Sequence, residues 1–135
     1  MVEISTAYEG ELRTACVHAP SGTQLHTDAP VDNRGRGESF SPTDLLATAL
    51  ASCMVTTMGI RAEDEGWPFA STRARVEKHM AAGPRRVVKL VVELEMPAAL
   101  GEAARPILEE IAWSCPVKQS IHPDIELDVR FAYTA

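Results

Sequence analysis

From Leu45 to Ile60 the chain carries no charged residue, and nothing else in it limits the possible folds so strongly. The run has the marks of a helix. Ser41 is a good N-cap, Pro42 suits the first helical position, and Asp44 lies in the first turn, where its charge meets the helix dipole. Leu46, Leu50, Cys53 and Thr57 form one stripe, with Leu45, Ala49, Met54 and Met58 beside it. Polarity returns at Arg61, Glu63, Asp64 and Glu65, and Gly66 stops the helix. A helix apolar on most faces must be covered on most faces. One domain of 135 residues does this poorly as a monomer, so the sequence predicts an obligate homodimer.

The remaining segments place strands on both sides of this helix. Residues 2–9 and 11–18 alternate in strand fashion with Gly10 as a turn or bulge between them, and Gln24 to Thr27 is a third short strand. A polar loop, Ala29 to Phe40, leads to Ser41. Beyond Gly66, residues 69–80 and 86–96 form a hairpin joined at Ala82-Gly83-Pro84. A helical segment from Ala98 to Ser114 is interrupted by Pro106, which either kinks it or opens a second short helix. After Cys115-Pro116, a turn or short helix leads to a last strand, Ile125 to Tyr133. Strands, helix, hairpin, helix, strand make an α+β class in a single domain, 1–135.

The composition is 45% hydrophobic with a net charge of -6, which argues against nucleic acid or an anionic membrane surface as a partner. No segment reaches the roughly 20 apolar residues of a membrane span, and the N-terminus lacks the basic-then-apolar order of a signal peptide. The expected location is the cytoplasm. Three cysteines there are packing residues, metal ligands or redox groups rather than a disulfide framework.

Cys53, on the apolar stripe, is the kind of cysteine that usually only fills space. The helix dipole does not reach it, because it lies 11 residues beyond Pro42, roughly 16 Å along the axis. A reactive Cys53 therefore needs a cation. Arg34 and Arg36, 7 and 5 residues before Ser41, can supply one, because an extended chain covers about 3.3 Å per residue. The competing reading is a solvated glycine-rich loop, and Arg13 is a further source of charge. Cys115 directly precedes Pro116, so local physics alone makes it the more acidic thiol of the two. Cys16, His18 and His26 offer three ligands without a fourth in a tight motif. Cys-His hydrolysis with His79 or His122 lacks a local signature.

Two motifs bear on the choice: Ser41-Pro42-x-Asp44-Leu45-Leu46 followed by Ala49-Leu50-Ala51-Ser52-Cys53, and Cys115-Pro116-Val117 followed by Ser120 and Ile121. In this order and separation they resemble the OsmC/Ohr family of osmotically inducible and organic hydroperoxide resistance proteins. The resemblance implies an intertwined homodimer, with mixed β-sheets wrapped around long central helices and active sites at the subunit interface. It implies a thiol peroxidase in which Cys53 attacks an organic hydroperoxide and becomes a sulfenic acid. Cys115 then closes a Cys53–Cys115 disulfide, which a dithiol such as dihydrolipoamide or a lipoylated protein reopens. It implies no cofactor and no metal, and it maps the activating arginine to Arg34 or Arg36. The family's active members carry Asn-Pro-Glu at the helix start, where the glutamate orients that arginine. Thr43 stands there in this chain, with Asp44 and Glu38 nearby. The alternative is a non-catalytic dimer of the same fold that binds a small apolar ligand at its interface.

Overall fold

The computed structural model describes all residues, 1–135, and they fall into two compact units, 1–46 and 47–135. The first unit is an antiparallel sheet in the order β1 (Ile4–Gly10), β2 (Arg13–His18), β3 (Gln24–Asp28). The first turn is made by Glu11 and Leu12, both at positive φ, 54° and 64°, the geometry whose twist suits a two-residue hairpin loop. Tyr8 pairs with Thr14 and Gly10 with Arg13, so Glu9 is the extra residue of a bulge beside the expected glycine.

The loop after β3 contains a single 3-10 turn, Val31–Asn33, which the sequence did not suggest. Gly35 is required there, because a Cβ would stand 1.8 Å from the carbonyl oxygen of Ala29. The loop's far end is tied to β3. The buried carboxylate of Asp28 accepts the Glu38 N–H at 2.9 Å, and the Asp28 N–H donates to the Phe40 carbonyl at 3.0 Å.

The central helix, α1, spans Pro42–Glu65. Its start is a reciprocal cap: the Ser41 N–H donates to Asp44 Oδ2 at 2.8 Å and the Asp44 N–H donates to Ser41 Oγ at 3.1 Å. Gly66, at φ 68°, ends it in the left-handed conformation that glycine adopts without strain. By length and composition α1 is apolar enough to cross a membrane, which corrects the expectation that no segment is. Only 33% of its most apolar window is buried within this chain.

The second unit continues from α1 into β4 (Arg73–Ala81) and β5 (Arg86–Glu95), then α2 (Ala104–Trp113), α3 (Pro116–Ser120) and β6 (Glu126–Ala132). The sheet order is β4-β5-β6, with β5 antiparallel to β4 and parallel to β6. A parallel pair needs a crossover, and α2 and α3 supply it. The helical segment expected from Ala98 is shorter. Turns closed by Leu100 N–H to Pro97 and Ala104 N–H to Gly101 fill the gap. Pro106 then sits in the first turn of α2, where a missing N–H leaves nothing unpaired, so it starts a helix instead of kinking one.

The core of this unit is built from one line of α1, Leu50, Met54, Met58 and Ala62, each 0% exposed, with Leu90 and Val92 of β5 and Leu108 and Ala112 of α2. The i, i+4 spacing puts that line on one face. It differs from the expected stripe: Cys53 and Thr57 lie on its flank, half-buried, and Ala49 is exposed.

Candidate functional site

Two segments distant in sequence meet at one point of the second unit. Cys53 projects from the middle of α1. Cys115 stands at the break between α2 and α3, and the two thiols lie close enough for Cys53 to act on the ionisation of Cys115. The break follows from the sequence. Pro116 disfavours helical backbone at the residue before it, and Cys115 is extended, at φ -63° and ψ 150°. Ser114 closes α2 by donating its N–H to the carbonyls of Glu110 and Ile111. On the other side, Thr57 Oγ1 donates to the Cys53 carbonyl at 2.8 Å and to the Met54 carbonyl at 3.2 Å, bracing α1 beneath the cysteine.

The environments of the two sulfurs are unequal. Cys115 is 1% exposed, whereas Cys53 is half-buried. Burial pushes the Cys115 thiol up from its ordinary range, and the neighbouring Cys53 pushes it the same way. The backbone N–H groups of Lys118 and Val117 bond to it and pull it down, but they do not outweigh burial. This runs against the expectation that its place before Pro116 makes the Cys115 thiol acidic. A five-residue helix contributes little dipole, and the price of desolvating a thiolate is larger.

Arg34 and Arg36 belong to the first unit, in the loop between β3 and α1. Arg36 pairs with Glu11 at 2.9 Å. Arg34, at φ 71° after the 3-10 turn, is exposed and makes no ion pair in the chain. Arg13 is 3.8 Å from Glu38. These pairs are solvent-exposed and weakly held, so none of the three guanidiniums is locked away. Asp44 is engaged in the cap of α1, and Thr43 Oγ1 lies 3.3 Å from Ser41 Oγ.

The other sets weighed from the sequence are engaged separately. His18 Nδ1 is 2.6 Å from Ser21 Oγ, His26 Nδ1 is 3.0 Å from Glu9, and Thr6 Oγ1 donates to Cys16 Sγ at 3.6 Å. His79 stands beside Glu77 at 3.6 Å, and His122 Nδ1 accepts the Asp124 N–H at 3.0 Å. Sequence reading missed Asp28, the buried carboxylate that ties down the arginine-bearing loop. A Thr-Asp pair ending a short strand gives no sign of burial.

The fold is an α+β chain with a half-buried thiol, Cys53, near a buried one, Cys115. The family model described as OsmC-like protein matches residues 35–130, and the chain belongs to that family. A solved structure from Psychrobacter arcticus 273-4, a candidate osmotic stress induced and detoxification response protein, is 47% identical. Its TM-score is 0.92, and the match covers 97% of this chain and 96% of that one. An organic hydroperoxide resistance protein OsmC from Legionella pneumophila shares the fold at 15% identity and a TM-score of 0.78, over 98% of this chain and 96% of that one. A candidate organic hydroperoxide resistance protein from Vibrio cholerae, with captopril bound in one of its active sites, does so at 16% and 0.77, over 100% and 93%. Comparison with curated proteins gives no match.

Proposed function

We propose that this chain is a thiol-dependent peroxidase that reduces organic hydroperoxides. One observation carries the reading: the half-buried Cys53 and the buried Cys115 come within reach of each other, close enough for Cys53 to act on the ionisation of Cys115, although nearly half the chain separates them in sequence. Cys53, as thiolate, attacks the outer oxygen of the hydroperoxide, and the O–O bond breaks. An alcohol leaves and Cys53 becomes a sulfenic acid. Cys115 condenses with it, releasing water and forming the Cys53–Cys115 disulfide. A dithiol, such as dihydrolipoamide or a lipoylated protein, returns two electrons. Captopril, itself a thiol, in an active site of the Vibrio protein is in keeping with a pocket that admits a small thiol.

The cation that activates Cys53 is Arg34 or Arg36, with Arg34 favoured because it has no ion pair to give up. Both units act as one OsmC-like domain, since the likeness to the Psychrobacter structure spans 97% of the chain. The working form is an intertwined homodimer, because α1 is largely uncovered within one chain. The cytoplasm, where dithiol reductants are kept reduced, is the compartment that suits this cycle.

A second reading has its own support. Thr43 stands in the place of the family's glutamate, which favours a dimer that binds a small apolar ligand without turnover. One experiment separates the two. Cys115→Ser, given one equivalent of an organic hydroperoxide, accumulates a sulfenic acid on Cys53 that dimedone traps. The wild type instead forms the disulfide and turns over with dihydrolipoamide. If neither cysteine reacts faster than free cysteine, the binding reading takes over.

A further inference from the structure

In the proposed cycle a dithiol must reopen the Cys53–Cys115 disulfide, and either sulfur is a possible point of attack. We infer that the reductant attacks Cys53, so that the mixed disulfide forms on α1 and Cys115 departs. This rests on the peroxidase reading and adds the order of its last half. The ground is the unequal burial of the two sulfurs. Cys115 is 1% exposed within a single chain, and Cys53 is half-buried on the flank of α1. Exchange needs the attacking sulfur to arrive in line with the bond it breaks, from the open side of its target. Cys115 has no open side even within a single chain, where Cys53 keeps one.

The steps balance. The reductant thiolate bonds to Cys53 Sγ as the Cys53–Cys115 bond breaks, and the bonding pair leaves on Cys115 Sγ. The N–H groups of Val117 and Lys118 already bond to that sulfur and hold the charge until it takes a proton from solvent. The second sulfur of the dithiol, deprotonated, then attacks the reductant's own sulfur. Cys53 leaves as thiolate and the reductant departs as a cyclic disulfide, two electrons poorer.

Leaving-group acidity pulls the other way, because a weaker acid leaves more slowly and burial pushes the Cys115 thiol up. Part of that push comes from Cys53 itself and disappears once Cys53 is bonded to the reductant. A sulfur that no nucleophile reaches is not attacked at all, so access decides.

The test uses the full chain in a Cys16→Ser background, oxidised in one arm by an organic hydroperoxide and in the other by diamide. A brief pulse of the monothiol 2-mercaptoethanol, which cannot complete the exchange, is quenched in acid and mapped by peptide mass spectrometry. The adduct is expected on Cys53 in at least about tenfold excess over Cys115. Equal adducts, or an excess on Cys115, overturn the inference. As a second measure, Cys53 in native Cys115→Ser should react with an aromatic disulfide reagent at least about tenfold faster than Cys115 in native Cys53→Ser, a gap that closes in denaturant. Similar native rates also overturn it. If diamide yields the disulfide and the hydroperoxide does not, the peroxidase reading falls while the point of attack is still read. If neither oxidant yields it, both fall.

Discussion

Residues 1–46 bury only polar side chains, Thr27, Asp28 and Ser41, whereas every apolar side chain of the buried core lies between Ala47 and Cys115. The first unit exposes what the second hides. Tyr8 is 68% exposed and Ile4 66%, and the strand register puts both on one sheet face with Leu25 and Cys16. A three-stranded sheet with an apolar face and no core of its own is a cover waiting for something to cover. The second unit has a core and carries the paired thiols, yet only 33% of the most apolar window of its long helix is buried within this chain. The difference teaches that the buried apolar core is concentrated in residues 47–135, the stretch that also holds Cys53 and Cys115. The first unit contributes an apolar face and a cationic loop, both of which acquire a purpose in the proposed dimer.

The sharpest way to break this division is Cys53→Ser. It should remove peroxide reduction down to the free-thiol background, a loss on the order of 10³-fold or more, in a peroxide-consumption assay with dihydrolipoamide. Residual turnover would mean that the chemistry does not belong to the second unit. Next comes assembly. Light scattering at micromolar concentration should give twice the 14.6 kDa chain mass, and Ile4→Asp with Tyr8→Asp should dissociate that dimer. Solvent-facing substitutions on a true monomer stay within about 0.5 kcal/mol. A stable monomer in the wild type, or a double variant that changes nothing, defeats the idea of the first sheet as a cover.

The cationic loop is tested by alkylation. Arg34→Ala should slow iodoacetamide labelling of Cys53 at neutral pH several-fold, and Arg36→Ala by less. Unchanged labelling in both variants and in the double would shift attention to Arg13. A smaller effect is expected at the joint of the two units, where Ser41→Ala removes the side-chain half of the α1 cap. It should cost about 1 kcal/mol in denaturant unfolding, with no change in the rate of sulfenic acid formation.

The smallest effect lies within the second unit and concerns pH. Tyr133 donates to Glu109 at 3.0 Å with Arg105 over its ring, and burial with that bond pushes its phenol up to about 12. A folded pKa above the unfolded value of about 10 means that the neutral phenol stabilises the fold. That contribution is complete below pH ~10 and is lost as the pH rises towards 12. Tyr133→Phe should flatten this alkaline fall in stability, and an unaltered slope would assign it to other groups.

Much of the fold was legible because the signals are local. Ser41-Pro42 and Gly66 bound α1 by capping chemistry alone, and the alternation of residues 86–96 marks β5. The two cysteine motifs pointed to the family and to the pair. Local rules went astray where burial enters. They put Cys53 on the main buried stripe and made Cys115 the acidic thiol, because dipoles and free N–H groups can be counted along a chain and desolvation cannot. They also left open which arginine is uncommitted, since the Glu11–Arg36 pair joins a hairpin turn to a distant loop. The sequence by itself determined the helices, the strands and the presence of two thiols in distinctive settings. Only the tertiary structure decided that those thiols come near each other, that one is sealed and the other half-buried, and that the sheet of residues 4–28 leaves Ile4, Tyr8 and Leu25 exposed on one face. These depend on which surfaces lose water when distant segments pack, and that is a property of the folded whole.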